Sequence, residues 1–219
     1  MIALKERYRK TIEYFLRHNP EPETELSYSD PFELIVAVIL SAQCTDKRVN
    51  MITPSLLKAF PDARALSKAA PEEVFEYIRS CSYPNNKARH LVNMSKVLVD
   101  RFNGIVPEDP ALLQQLPGVG RKTANVVASV VFRKPVMAVD THVFRVSKRI
   151  GLAVKAKTPL EVERQLSMNI PKELIHKAHH WLILHGRYTC KARRPLCREC
   201  GLKDFCKYFL NEYGKKNNK

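Results

Sequence analysis

The sequence holds no apolar run long enough to cross a bilayer. Its longest runs, Leu34–Leu40 and Val126–Phe132, fall far short of the ~20 residues that a membrane helix needs. The start, Met1-Ile2-Ala3-Leu4-Lys5-Glu6-Arg7, is charged where a signal peptide carries its apolar core. An intracellular, reducing compartment is the expectation, with no membrane partner. Repeats and low-complexity tracts are absent. Strand signals are poor, so the periodicity left to read is helical. Acidic residues are scarce: 22 Asp and Glu stand against 37 Lys and Arg, a net charge of +15. That imbalance points to a polyanionic partner, because each phosphate neutralised by Lys or Arg releases a condensed counterion. A merely basic, soluble protein is the alternative.

What is present describes a globular chain. Of 219 residues, 45% are apolar and 27% charged, enough for one large domain or two small ones. Helical periodicity dominates. Leu4–Leu16 reads as an amphipathic helix with Leu4, Tyr8, Ile12 and Phe15 on one face. Asp30-Pro31 opens a second helix, with Asp30 as N-cap and Pro31 at the first helical position. Its continuation through Leu40 is apolar nearly all round, so a buried core helix is expected. Further helix starts are expected at Ser67 or Pro71, at Asn86 and at Asp109-Pro110. Val126–Val131 is β-branched but has no alternation and no hairpin partner, and it continues from Lys122-Thr123-Ala124; it reads as helix. The tail 214–219 reads as disordered.

Six cysteines divide into two groups. Cys44 and Cys81 are isolated in the sequence. Cys190, Cys197, Cys200 and Cys206 form a C-x6-C-x2-C-x5-C pattern within one short loop. Four thiolates hold either tetrahedral zinc or a cubane iron–sulfur cluster. Zinc sites usually pair two close knuckles, and only one close pair exists here, so the spacing favours the larger 4Fe–4S cluster, with zinc as the rival. The loop also carries Lys191, Arg193, Arg194, Arg198 and Lys203, against Glu199 and Asp204. Charges held on a stapled loop lose little entropy on meeting a phosphate backbone.

Leu116-Pro117-Gly118-Val119-Gly120-Arg121-Lys122-Thr123 lies between two helical stretches. Its glycines permit a tight turn and the close approach of another backbone, and the following helix start offers N–H groups to a phosphate. Lys122 falls in the first turn of that helix, where the macrodipole and Arg121 disfavour its ammonium form; burial would add to this. A partly neutral amine is a nucleophile able to form a Schiff base, and a solvated phosphate-binding lysine is the alternative. Eighteen positions later, in Val139-Asp140-Thr141-His142, Asp140 is a candidate partner. It also reads as the N-cap of a helix over Val143–Ile150.

Together the hairpin, Lys122, the Val-Asp-Thr-His segment and the four-cysteine loop resemble endonuclease III, of the helix-hairpin-helix DNA glycosylase superfamily. Leu40-Ser41-Ala42-Gln43-Cys44-Thr45-Asp46 is similar to that family's Leu-Ser-Ala-Gln-x-Thr-Asp segment. The resemblance spans nearly the whole chain. It implies an all-α fold of two helical domains flanking a DNA-binding cleft: a six-helix domain over 21–135, and 1–20 plus 136–219 forming the iron–sulfur domain. It implies a monomer in a prokaryotic cytoplasm, associated with the nucleoid, acting on damaged double-stranded DNA. Lys122 would attack the sugar C1′ of a flipped oxidised pyrimidine, Asp140 would assist, and β-elimination would cut the strand. Gly118, Gly120, Arg121, Arg193 and Arg194 would contact DNA, and His142 matches a pocket residue. Gln43 matches the residue that enters the space of the flipped base. The family's wedge leucine, in Gly-Leu-Tyr-x-x-Lys-Ala, is replaced: here Ser82-Tyr83-Pro84-Asn85-Asn86-Lys87-Ala88 puts Tyr83 there.

Within the superfamily, a monofunctional adenine glycosylase lacks the hairpin lysine and adds a C-terminal recognition domain, so Lys122 argues against it. A non-catalytic DNA-binding module with a zinc loop is the rival from a different class. An iron–sulfur electron carrier explains neither the charge nor the hairpin.

Overall fold

The computed structural model describes residues 2–213; Met1 and the tail expected to be disordered lie outside the described residues. Among the described residues the fold is all-α. Its helices are α1 (Leu4–His18), α2 (Pro31–Ser41), α3 (Asp46–Ala59), α4 (Ala63–Ser67), α5 (Pro71–Ile78) and α6 (Pro84–Phe102), then α7 (Pro110–Leu113), α8 (Arg121–Val130), α9 (Thr141–Ile150), α10 (Pro159–Asn169), α11 (Ile175–Tyr188) and α12 (Lys207–Tyr213). None of them is long and apolar enough to cross a membrane.

Local chemistry explains most of the starts. The Asp30 carboxylate accepts the Glu33 N–H at 2.9 Å, and Pro31 brings a preset φ to the first turn of α2. Thr45, Asp62, Asp109, Asp140 and Thr158 cap α3, α4, α7, α9 and α10 in the same way. The expected start near Ser67 or Pro71 resolves into two elements: Ser67 ends the short α4, and Pro71 opens α5. α6 begins at Pro84, ahead of the expected Asn86, because Tyr83 turns the chain in a left-handed conformation and Pro84 supplies a helical φ. Val126–Val130 is helical as expected, its β-branched face buried at Val127.

The chain divides into two compact units. One runs from Thr24 to Lys134 and holds α2 to α8. The other joins the residues up to Glu23 to those from Pro135 onward. In the first unit α2 is the central rod: Phe32 and Leu34 through Leu40 are all buried, and α3, α6 and α8 pack on it. Each of its larger apolar side chains contributes about 1.5–3 kcal/mol by leaving water, so this helix is held by packing rather than by propensity. In the second unit the core is built from Tyr8 and Phe15 of α1, Val143, Val146 and Ile150 of α9, and Trp181 and Leu182 of α11. The Phe15 and Trp181 rings stack at 5.6 Å, and the indole N–H donates to the Asn19 carbonyl at 2.6 Å. Buried Arg7 donates to the Phe205 and Gly151 carbonyls at 3.2 and 3.4 Å. These bonds tie the N-terminal helix to chain that is distant in sequence.

Candidate active site

The hairpin packs on its own unit. Gly118 has φ +81°, and a Cβ there would stand 2.8 Å from the Cβ of His90 on α6. Gly120 ends the turn as the N-cap of α8, and no side chain caps that terminus. Lys122 occupies the first turn with its side chain exposed. Burial, considered from the sequence as a further force on its ammonium, is therefore not supplied by the chain, and its amine is accessible.

Gln43 and Tyr83 stand on adjoining loops of the same unit. Both are exposed and both adopt left-handed backbone, with φ of 54° and 55°. Non-glycine residues hold that conformation at a cost of about 1–2 kcal/mol. The bonds that impose it are visible. The Ser82 hydroxyl donates to the Gln43 carbonyl at 2.6 Å. Lys87, buried, sends its ammonium to the Leu40 and Ala42 carbonyls, each at 2.7 Å, closing the C-terminus of α2. Burial lowers the Lys87 pKa, which the nearby Cys81 and Cys44 partly offset. Lys87 was not singled out from the sequence. The signal was present: it is the lysine of the segment that carries Tyr83.

Asp140, half-buried, accepts the Val143 N–H at 2.8 Å and caps α9 through one carboxylate oxygen. His142 follows in the first turn. Its Nδ1 lies 3.1 Å from the Arg145 guanidinium, which also donates to the Gly186 carbonyl at 2.8 Å and to the Cys190 carbonyl at 3.1 Å. A Cβ on Gly186 would stand 2.8 Å from the His142 Cβ, so this glycine lets α11 approach the ring. Arg145 was also missed. Its position three residues after His142, on one helix face, was the available clue.

The four C-terminal cysteines line one pocket, open in part to solvent, together with Arg149, His185 and Leu196. Among the described residues, no three His, Cys, Asp or Glu side chains converge as a single ion requires. Burial raises the thiols of Cys197, Cys200 and Cys206, that of Cys200 to about 11. Backbone N–H groups of Leu202, Tyr208 and Phe209 act in the opposite sense on Cys200 and Cys206. Arg149 binds the loop at the Lys191 and Ala192 carbonyls, at 2.7 and 3.1 Å. Arg193 and Arg194 are exposed on it, Arg194 in left-handed backbone.

The structure thus places Gln43, Tyr83, Gly118, Gly120, Arg121 and Lys122 on the 24–134 unit. Asp140, His142, Arg193, Arg194 and the four cysteines stand on the other.

Residues 36–172 match the HhH-GPD superfamily base excision DNA repair protein family. Endonuclease III of Rickettsia conorii is 48% identical over 202 residues, 92% of this chain and 96% of that protein. Endonuclease III of Escherichia coli K12 is 47% identical, covering 87% of this chain and 90% of that protein. This chain belongs to the endonuclease III family. The family's solved structures extend the likeness to the whole chain. A structure described as a trapped endonuclease III–DNA covalent intermediate superposes with a TM-score of 0.90 at 43% identity, covering 100% of both chains. The superfamily match ends at residue 172, short of the cysteine loop; likeness to endonuclease III itself reaches past it.

Proposed function

We propose that the protein is a bifunctional DNA glycosylase and abasic-site lyase of base excision repair, acting on oxidised pyrimidines in duplex DNA. The observation that carries this reading is the exposed Lys122 amine in the first turn of the uncapped, glycine-opened α8. Family membership, and the covalent DNA complex formed by a relative 43% identical, support it.

The amide groups at the start of α8 take a DNA phosphate, with Arg121 beside them. Gln43 and Tyr83 occupy the space left when the damaged nucleotide leaves the stack, with Tyr83 stacking on a base. Lys122 Nζ attacks C1′, the glycosidic bond breaks, and the base leaves. The ring-opened iminium acidifies C2′; loss of that proton expels the 3′ phosphate, and water then releases the lysine. The Asp140 carboxylate supports the positive charge that develops at C1′ and accepts protons, held in place by its bond to the Val143 N–H. His142, oriented by Arg145, contacts the flipped nucleotide.

Cys190, Cys197, Cys200 and Cys206 would hold a 4Fe–4S cluster. They fit one: the thiols surround a cavity rather than a point, and backbone N–H groups face sulfurs that burial otherwise keeps protonated. When bound, the cluster's ferric and ferrous charge stabilises the thiolates and fixes the loop that presents Arg193 and Arg194. We read the protein as a cytoplasmic, nucleoid-associated monomer; its bacterial relatives and a duplex DNA substrate support the location.

Borohydride reduction of the protein with duplex DNA carrying one oxidised pyrimidine tests the mechanism. A covalent adduct mapped to Lys122 is expected. Lys122→Gln should lose adduct and strand cleavage while still binding DNA. Cleavage by Lys122→Gln at the wild-type rate would show that the nucleophile lies elsewhere.

A further inference from the structure

Cys44 and Cys81 are separated by 37 positions in the sequence, yet their sulfurs lie 3.6 Å apart. Isolated along the chain, they are neighbours in the fold. Neither belongs to the C-terminal set, and nothing in the proposed chemistry uses them. Their setting is specific. Cys44 follows Gln43; Cys81 precedes Ser82, whose hydroxyl binds the Gln43 carbonyl. Lys87 holds the other side of the same junction through Leu40 and Ala42. The two sulfurs therefore sit where the Gln43 loop meets the Tyr83 loop.

We propose that Cys44 and Cys81 form a reversible intramolecular disulfide, a modification site that ties the Gln43 loop to the Tyr83 loop. Cys44 is partly exposed and Cys81 is buried, so a small disulfide such as glutathione disulfide reaches Cys44 first. Burial pushes the Cys81 thiol to about 11, and its hydrogen bond with Cys44 and the Cys44 charge add to this; Lys87 and Arg48 pull the other way. In the first step the Cys44 thiolate attacks one glutathione sulfur, forming a mixed disulfide and releasing one glutathione. In the second the Cys81 thiolate attacks Cys44 Sγ and expels the other. Two cysteine thiols are oxidised, one glutathione disulfide is reduced to two glutathiones, and the two cysteine protons end on the released thiols. Side-chain rotation must close the sulfur gap to about 2.05 Å. The sulfurs are already in contact at 3.6 Å.

The effect on repair rests on the proposed function. There Gln43 and Tyr83 enter the duplex from adjoining loops. A bond between those loops stops them from parting as DNA enters. Excision from intact duplex slows, whereas cleavage at a preformed abasic site, already unstacked, changes less.

The test uses the metal-loaded protein, incubated with glutathione disulfide, blocked with N-ethylmaleimide and digested without reductant. A Cys44–Cys81 peptide that dithiothreitol releases is expected. Cys81→Ala should instead retain glutathione on Cys44, and Cys44→Ala should leave Cys81 unmodified. Full alkylation of both thiols, or a stable glutathione adduct on wild-type Cys44, would overturn the site. Excision by the cross-linked wild type should fall several-fold and recover with dithiothreitol, while treated Cys44→Ala keeps its untreated rate. An unchanged rate in mapped, cross-linked protein would overturn the tying of the loops. Reduced wild type that excises nothing would defeat the proposed function and leave the mapped bond standing.

Discussion

Gly118 and Gly120, two positions apart, are glycine for different reasons. At Gly118 the backbone is left-handed and His90 fills the space a methyl would need, with its Cβ at 2.8 Å and Cγ at 3.0 Å. Both constraints are internal, so Gly118→Ala should lower stability by about 1–3 kcal/mol. At Gly120 φ is −83°, which any residue adopts, and a Cβ would meet nothing within 4 Å. Nothing inside the chain asks for glycine there. The proposed function offers a reason from outside: the approach of a phosphate backbone to the first amides of α8. Serine is at least as good an N-cap as glycine, so Gly120→Ser should hold or slightly raise stability. It should nonetheless weaken duplex binding, because the new side chain occupies the approach. A urea midpoint and a DNA titration on each variant separate the two cases; unweakened binding by Gly120→Ser would remove the phosphate argument.

At the scale of elements, the segment from Cys190 to Cys206 has little regular structure of its own, only one 3-10 turn at Lys203–Phe205. Its first half is anchored to α11 and the residue after it: the Cys190 N–H donates to the His185 carbonyl at 2.7 Å, and the Leu196 N–H to the Thr189 carbonyl at 3.0 Å. Arg149 binds the carbonyls just after Cys190, at Lys191 and Ala192, and lies 4.8 Å from the Tyr208 ring centroid. His185 is buried against Phe15, which lowers its pKa to about 4 and keeps it neutral, with Nε2 3.6 Å from Cys200 Sγ. Four half-buried thiols facing one pocket are poorly stabilised as thiolates without a cation. Purified protein should therefore carry about four irons per chain and absorb in the visible. Cys200→Ser should lose that colour and melt at a lower temperature. Metal analysis decides the rival: one zinc per chain in anaerobically prepared protein would replace the cluster. Elsewhere, elements follow local chemistry where a cap is present, as at Asp30 and Asp140. They depart from it at Tyr83, which takes a left-handed turn that no local preference favours, next to Ser82, whose hydroxyl binds the distant Gln43 carbonyl.

At the scale of the molecule, the net charge of +15 is a statement about association rather than about fold. Exposed Arg193 and Arg194 on the cysteine loop should bind phosphates without reading sequence. Replacing both with Ala should weaken binding to any duplex alike. It should flatten the plot of log affinity against log salt by about 0.9 for each phosphate that is no longer neutralised. An unaltered slope would turn these arginines away from DNA. The sequence by itself determined the capped helix starts at Asp30, Asp109 and Asp140, the glycine turn, the lysine at its end and the grouping of four thiols, since each is written in residues close along the chain. Caps act over three positions, and the four thiols fall within the single stretch from Cys190 to Cys206. Only the tertiary structure decided that Lys87 closes the end of α2, that Arg145 joins His142 to Gly186 and Cys190, that Lys122 stands exposed, and that Cys44 touches Cys81. Those facts depend on which side chains meet when distant segments pack, and the packing of α2 with α3, α6 and α8 settles that for the first unit as the core of α1, α9 and α11 does for the second.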